Sequence, residues 1–200
     1  MRIEIFSDMV CPWCYIGKRR LSIALDRTGA RPGLVWRAFQ LDPAYPVGVR
    51  WTLAEAHVKR YGLDAAEDRR RRESITGLAA RVGLEYRLDR AVMANTLEAH
   101  RLVKHGDAHG KGAEAAEALM RAYAVEGRDI GDPGDLCRIA VELGLPPLEQ
   151  GAYKKEVDED RARAARYGVR GVPSLVVDEK YLLVSPDVDD LAAFLERHAD

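Results

Sequence analysis

The chain has 200 residues and a mass of 22.3 kDa, which suits one domain or a small domain that carries a sizeable insertion. Its 31 basic residues balance 32 acidic ones, so the net charge of −1 provides no overall field for nucleic acid or an anionic membrane surface. A mean hydropathy of −0.29 and the absence of an apolar run of ~18 residues exclude a membrane-spanning helix, and a hydrophobic content of 47% excludes a disordered chain.

The first predicted element is a strand. Residues 2–6 alternate polar and apolar side chains, the pattern of a half-buried strand. No basic stretch followed by an apolar one precedes it, so we expect no secretory signal peptide and a cytoplasmic protein. The 3 cysteines are an odd number, too few for a disulfide-stapled secreted scaffold. In a reducing compartment, a close cysteine pair favours catalysis or metal binding over a permanent disulfide.

A β-α-β unit is predicted at the start of the chain. Residues 11–28 have the apolar periodicity of a helix, and Gly29 follows them as a stop. Residues 34–40 are rich in Val, Trp and Phe and predict a second strand. A strand, a helix and a strand in this order imply two parallel strands.

The middle of the chain is predicted to be entirely helical. Between residues 52 and 166 we find helical periodicity and no convincing strand. Glycines follow the predicted helices where stops are needed, among them Gly83 and Gly106. The predicted helices cover residues 52–60, 65–82, 96–105, 112–126 and 133–143, and a last one ends near Tyr167.

Strand character returns near the end of the chain. Residues 172–177 and 180–184 flank a short turn at Asp178-Glu179, which predicts an antiparallel hairpin. A final helix follows Ser185-Pro186. The complete order is β-α-β, a helical block, and β-β-α, so the predicted class is α/β.

The motif Cys11-Pro12-Trp13-Cys14 lies where the first strand meets the first helix. Proline suits the first helical position, because its missing N–H has no partner there. Cys11 then lies at the N-cap, where the free backbone N–H groups and the helix dipole stabilise a thiolate. Cys14 falls in the first turn, nearer the core. The spacing therefore predicts a redox pair in which Cys11 attacks and Cys14 closes the disulfide.

Two alternatives to the redox pair follow from the residues. A zinc site needs a second Cys or His pair at ligand spacing, and neither Cys137 nor the His105 and His109 pair provides one. We therefore expect no metal. Two unreactive structural cysteines are the other alternative, but a strand, Cys-x-x-Cys and helix in sequence are a typical redox context.

The whole chain resembles the DsbA-like thioredoxin-fold oxidoreductases, and within them the FrnE-like branch, which shares a superfamily with 2-hydroxychromene-2-carboxylate isomerases. The resemblance rests on the CPWC motif, on Gly-Val-Arg-Gly-Val-Pro at residues 168–173, and on Phe-Gln-Leu-Asp-Pro at 39–43 and Asn-Thr-Leu-Glu-Ala-His-Arg at 95–101. It implies a thioredoxin-like domain at residues 1–45 plus 160–200, interrupted by an all-helical insertion at 46–159.

The resemblance also implies substrate contacts. Pro173 should follow a cis peptide bond beside the cysteines, so that the backbone at Val172 can pair with an extended substrate. A trans proline that merely opens a strand is the alternative. The position of Trp13 in the first turn of the helix, independently of the resemblance, predicts an exposed ring that shapes the substrate surface beside Cys11; a ring that only covers apolar surface is the alternative. No bound cofactor is expected, glutathione fits as a thiol partner, and a homodimer agrees with the superfamily.

Two polar residues of the insertion have structural explanations. Asn95, with Glu98 three positions later, matches a capping box for the following helix, which we prefer over a ligand contact. His100 would project ~140° from Asn95 on a continuous helix, so the two should not form one site. We expect His100 to be packed or exposed rather than a hydrogen-bonding residue of the cleft.

Two further features are predicted to play no part in the chemistry. Arg69 to Arg72 are flanked by acidic residues and point all round a helix, so they predict a solvated face. Cys137 lies in an apolar helical segment and is expected to pack as a small hydrophobic residue.

The predicted function is thiol–disulfide oxidoreduction through a mixed disulfide, on a protein or small-molecule substrate that contains a thiol or disulfide. Two alternatives stay open. One is a glutathione-dependent isomerase or transferase of the 2-hydroxychromene-2-carboxylate isomerase or kappa-class type. The cysteine at position 11 speaks against it, because those relatives usually carry serine there. The other is a thioredoxin-like binding module with inert cysteines.

Overall fold

A four-stranded mixed sheet lies at the centre of the computed structural model, which describes residues 1–198. Strand β1 (Arg2–Ser7) pairs in parallel with β2 (Gly33–Ala38) on one side and antiparallel with β5 (Ser174–Val177) on the other. Strand β6 (Tyr181–Val184) lies beside β5, so the strand order is β2-β1-β5-β6. The predicted α/β fold, with a β-α-β part and a β-β-α part, is confirmed.

Strand β1 is buried on both of its faces. Ile3 and Ile5 join the main hydrophobic cluster, whereas Phe6 packs with Ala164 and Val169 in a second, smaller cluster. Alternate residues of a strand point to opposite faces, so the two clusters lie on the two sides of the sheet. The prediction of a half-buried strand is wrong, because Glu4 and Ser7 are buried as well and Arg2 alone is exposed in β1.

The helices agree closely with the predicted positions. Helices α1 (Pro12–Thr28) and α8 (Val188–Arg197) pack against each other. One prediction for the middle is wrong, since the two-residue strands β3 (Trp51–Thr52) and β4 (Val92–Met93) form a small antiparallel ladder. The other helices are α2 (Leu53–Lys59), α3 (Ala65–Ala80), α4 (Leu97–Ala108), α5 (Gly112–Arg121), which continues as a π-helical turn over Ala122–Glu126, α6 (Pro133–Glu142) and α7 (Lys154–Arg166).

Gly106 does not end its helix as predicted. Helix α4 continues through it to Ala108. A Cβ atom at position 106 would lie 2.9 Å from the Ala115 Cβ and 2.9 Å from the Lys111 carbonyl oxygen. The glycine therefore allows α4 and α5 to approach closely, which is a packing requirement and not a stop signal.

A buried network of charges joins the part of the chain from α2 to α7 (residues 53–166, the helical segment) to the sheet. Glu4 of β1 accepts hydrogen bonds from Arg163 of α7, at 2.5 and 2.6 Å, and from Arg37 of β2, at 2.9 Å. Arg37 also bonds Asp160 at 3.0 Å, and Lys104 of α4 lies 2.5 Å from the same carboxylate. Each buried charge thus has a partner of opposite sign, as burial requires.

The network crosses the predicted domain boundary. Residue 160 lies within α7, so the division at that position does not coincide with the end of an element. The main hydrophobic cluster also contains residues from both sides, such as Ile5 of the sheet and Leu102 of α4. Within residues 1–198, no helix is long and apolar enough to span a membrane.

The charge network predicts a pH-dependent loss of stability. Burial by itself raises the pKa of the Glu4 carboxyl, but hydrogen bonds from Arg163 and Arg37 outweigh burial and hold the pKa below its ordinary value of 4.5. A lowered pKa stabilises the fold above the unfolded-state value and loses that contribution as the pH falls. Glu4→Gln should lower the free energy of unfolding by about 2–4 kcal/mol at pH 7.

Urea unfolding measures this effect. The difference in the free energy of unfolding between Glu4→Gln and the unsubstituted protein should become smaller as the pH falls below ~4.5. Glu156→Gln, at an exposed position of α7, is the matched control and should change the stability little. A difference that stays constant down to acidic pH would contradict the ion-pair explanation.

Candidate active site at the start of helix α1

The two cysteines of the CPWC motif occupy different positions at the start of α1. Cys11 is the N-cap residue in an extended conformation (φ −88°, ψ 111°), and Pro12 takes the first helical position. The Cys14 N–H donates to the Cys11 carbonyl oxygen at 3.0 Å, which closes the first turn. Both are free thiols, with relative exposures of 5% for Cys11 and 2% for Cys14.

The segment before β5 lies against these cysteines. The Cys11 Sγ lies 3.9 Å from the Val172 carbonyl oxygen, and the Val172–Pro173 peptide bond is cis. The Pro173 ring packs on α1 at Gly17, where an added Cβ would come within 2.9 Å of the Pro173 Cγ. The contact of Gly17 with Pro173 was not predicted from the sequence, although Gly17 lies three residues after Cys14 and therefore on the same side of the helix.

Cys14 is held as a thiol. Its burial raises the pKa of the thiol well above the ordinary value, and the neighbouring Cys11 raises it further. The Asp8 N–H donates to the Cys14 Sγ at 3.5 Å, which partly offsets these effects. Cys14 is thus held in the protonated form; both sulfurs are largely covered, but Cys11 lines a cleft and Cys14 does not.

Asp8 is a site residue that the sequence analysis missed. It is 1% exposed and lies three residues before Cys11, in the turn after β1. Besides its bond to Cys14, its carbonyl oxygen accepts the Cys11 N–H at 3.1 Å, and its carboxylate accepts the Leu41 N–H at 2.7 Å. An aspartate between the first strand and the motif was the available signal in the sequence, because functional residues gather in such loops.

His100 of α4 completes the surroundings of Asp8. Its Nε2 lies 3.3 Å from the Asp8 Oδ1, and both side chains are buried. The two atoms are close but are not aligned as a hydrogen bond. His100 was expected to be packed or exposed; it is packed, and its partner is the aspartate that holds the motif.

The capping box predicted at Asn95 is wrong. Helix α4 begins one residue later, with Thr96 at the N-cap, and the Asn95 Oδ1 accepts the Leu97 N–H at 3.1 Å from outside the helix. Its side-chain amide also donates to the Tyr45 carbonyl oxygen at 2.8 Å and accepts from the Gln40 Nε2 at 3.2 Å. Asn95 therefore connects the loop after β2 to the start of α4.

A cleft of about 1180 Å³ opens beside the motif. Cys11, Pro12 and Trp13 line it on one side, and Trp13 is 39% exposed. The opposite wall comes from the helical segment and includes α2, α3 and residues 88–96. Among the predicted site residues, Val172 and Pro173 lie beside Cys11 but outside this lining. The active face therefore has two parts, the cleft and the segment before β5.

Cys137 does not pack as predicted. It is exposed, because α6 buries Leu136, Ile139 and Ala140, and Cys137 lies about 100° round the helix from Leu136. Residues 1–198 contain no group of three or more His, Cys, Asp or Glu side chains that could hold a metal ion.

The family model of the DSBA-like thioredoxin domain matches residues 2–197, so the chain belongs to the family of DsbA-like thiol–disulfide oxidoreductases. The predicted family is confirmed. A probable DsbA oxidoreductase from Streptomyces coelicolor superposes with a TM-score of 0.92 at 29% identity, over 98% of this chain and 89% of the other.

Two solved structures of lower identity share the fold. The cytosolic disulfide reductase DsbM from Pseudomonas aeruginosa has a TM-score of 0.69 at 23% identity, over 100% of this chain and 98% of that chain, and it has also been solved with GSH. A 2-hydroxychromene-2-carboxylate isomerase has a TM-score of 0.69 at 16% identity, over 100% and 95%.

The contacts of Asp8 predict how its variants behave. Asp8→Ala removes the acceptor of the Leu41 N–H and the contact to the buried His100, and should lower the free energy of unfolding by about 1–3 kcal/mol. Asp8→Asn keeps an acceptor for the Leu41 N–H and should therefore lower the free energy of unfolding by less than Asp8→Ala does. Urea denaturation at pH 7 measures both variants.

The exposed Asp26 of α1 provides the matched control, and Asp26→Ala should have little effect. Equal losses in Asp8→Ala and Asp26→Ala would contradict the anchoring role of Asp8.

Proposed function

We propose that this chain catalyses thiol–disulfide exchange with Cys11 as the attacking thiolate and Cys14 as the resolving thiol. The observation that carries the proposal is the different placement of the two cysteines. Cys11 lines the cleft at the N-cap of α1, whereas Cys14 lies buried with a raised pKa. A sulfur that borders the cleft at a helix N-terminus suits the attack, and a sulfur outside the cleft lining one turn further suits the resolution.

The first step forms a mixed disulfide. The Cys11 thiolate attacks one sulfur of the substrate disulfide, the Cys11–substrate S–S bond forms, and the other half of the substrate leaves as a thiolate. The backbone of Val172, 3.9 Å from the Cys11 Sγ, is placed to hold an extended substrate during the attack. Trp13 covers the neighbouring part of the cleft.

The second step releases the substrate. Cys14 loses its proton and attacks the Cys11 sulfur, the Cys11–Cys14 disulfide forms, and the second half of the substrate leaves as a thiolate. Two electrons pass from the protein dithiol to the substrate disulfide. The same steps in reverse oxidise a substrate dithiol.

The remaining reaction partners follow from this chemistry. No bound cofactor is needed, because the sulfurs of the protein carry the electrons. A small thiol regenerates the dithiol, and glutathione suits this role, in line with the fold relationship to DsbM. A reducing cytoplasm is the compartment in which a dithiol form is maintained. A homodimer remains a prediction.

Trapping of the mixed disulfide tests the proposal. Cys14→Ser should accumulate a covalent adduct on Cys11 after exposure to a small disulfide, because the resolving thiol is missing. Intact-protein mass spectrometry and peptide mapping would identify the adduct and its position. The experiment is best done in a Cys137→Ser background, since Cys137 is an exposed free thiol that reacts on its own account.

Two controls interpret the trapping. Cys11→Ser in the same background should form no adduct at the motif and turn over no disulfide, while its circular dichroism matches that of the unsubstituted protein. A folded Cys14→Ser protein that acquires no adduct on Cys11 would overturn the proposal. Glutathione-dependent isomerisation of a chromene carboxylate that survives Cys14→Ser would favour the isomerase alternative.

A further inference from the structure

Helix α3 turns one face towards the cleft that contains Cys11. Six residues of α3 line the cleft, and all but Arg72 recur at positions separated by three and four residues, which is one helix face. The prediction of a fully solvated arginine run is therefore only partly right. Arg69 lies outside the lining and is exposed, whereas its neighbours contribute to the wall. The lining residues on this face are Glu67, Arg70, Arg71, Ser74 and Ile75.

Four arginines line the cleft, and three of them are paired with carboxylates. Arg60 forms two hydrogen bonds to Asp42, at 2.5 and 2.9 Å. Arg71 pairs with Glu67 one turn before it. Arg72 bonds a carboxylate oxygen of Asp68 at 2.8 Å.

The acidic residues of the cleft are likewise occupied. Asp42 and Glu67 carry the pairs with Arg60 and Arg71. The Asp8 carboxylate accepts the Leu41 N–H and contacts His100. No acidic group of the lining is thus left to neutralise a further cation.

Arg70 is the lining cation without a partner. It forms no ion pair with any residue among 1–198, and its side chain is exposed. A guanidinium presents a planar set of donors that matches a carboxylate, and it keeps its charge at every accessible pH. An exposed and unpaired arginine on the wall of the cleft therefore suits an anionic group of a substrate.

The lining and the size of the cleft indicate the kind of substrate that it could hold. Apolar side chains such as Leu53, Ile75 and Met93 contribute to its lining, beside Trp13 and Cys11. Its volume of about 1180 Å³ is close to the range of roughly 300–1,000 Å³ typical of small-molecule sites. These dimensions favour a low-molecular-weight substrate with aliphatic and polar parts.

We propose that the cleft selects small disulfides that carry a carboxylate, with Arg70 binding the carboxylate while a substrate sulfur lies at Cys11. This inference rests on the proposed function and names the substrate class of the same site. Arg70 contributes affinity and specificity, and the exchange chemistry stays with the cysteines.

Three symmetric disulfides that differ in charge test the inference. They are 3,3′-dithiodipropionate, which carries two carboxylates, the neutral 2-hydroxyethyl disulfide, and cystamine, which carries two ammonium groups. The reduced protein is mixed with each disulfide, and kcat/KM is measured with a thiol reductant. Each variant is compared with the unsubstituted protein on the same substrate, so intrinsic differences in disulfide reactivity cancel.

Arg70→Gln should lower kcat/KM for dithiodipropionate by about 5- to 20-fold, because one charge-assisted contact is lost. The kcat/KM for the neutral disulfide should fall much less. Arg70→Glu should raise kcat/KM for cystamine relative to kcat/KM for dithiodipropionate. The dithiodipropionate preference should also weaken with added salt. Arg69→Gln is the matched control, since it removes the same charge from the neighbouring position outside the cleft.

The outcomes separate the inference from the function on which it depends. Equal losses on all three disulfides in Arg70→Gln, or equal effects of Arg69→Gln and Arg70→Gln on dithiodipropionate, would overturn the carboxylate site while disulfide exchange stands. An unsubstituted protein that turns over none of the three disulfides would overturn the proposed function and the inference together.

Discussion

The anchoring of Asp8 is the constraint on which the geometry of the site depends. Its backbone N–H and carbonyl oxygen bond Cys14 and Cys11, and its carboxylate binds the Leu41 N–H and contacts His100. A single buried residue thereby connects the motif, the loop after β2 and helix α4. A buried carboxylate needs such partners, because its desolvation is costly without them. The cysteines are therefore positioned by the helical segment as well as by the sheet.

The same connection explains how one fold combines a reactive motif with a shaped cleft. The buried charges around Glu4 and Asp160 bind α4 and α7 to the sheet, and α3 then forms a wall opposite Cys11. The thioredoxin-like part contributes the sulfurs and the segment at Val172. The helical segment contributes the residues that would select a substrate, and Arg70 is the one of these whose charge is unpaired among residues 1–198.

The errors of sequence interpretation have a common cause. Cys137 lies among apolar residues in the sequence, but it is exposed because a helix buries only one of its faces. Gly106 is a residue type that often ends a helix, but here its missing Cβ allows α5 to pack closely against α4. The alternation of polar and apolar residues in β1 predicts that Glu4 is exposed, but two arginines from distant elements bind and cover it. In each case, partners remote in sequence decide the environment.

The resemblance of its motifs identified the family, and local chemistry in the chain was sufficient for the order of the main elements and for the placement of Cys11 and Pro12 at the start of α1. Apolar periodicity, the helix preferences of proline and the cysteine spacing act over a few residues, so they are visible without the fold. The tertiary structure alone decided that Asp8 meets His100, that Gly17 meets Pro173, and that Arg70 faces the cleft of Cys11. These contacts join residues far apart in the chain, and only the packing of the helical segment on the sheet brings them together.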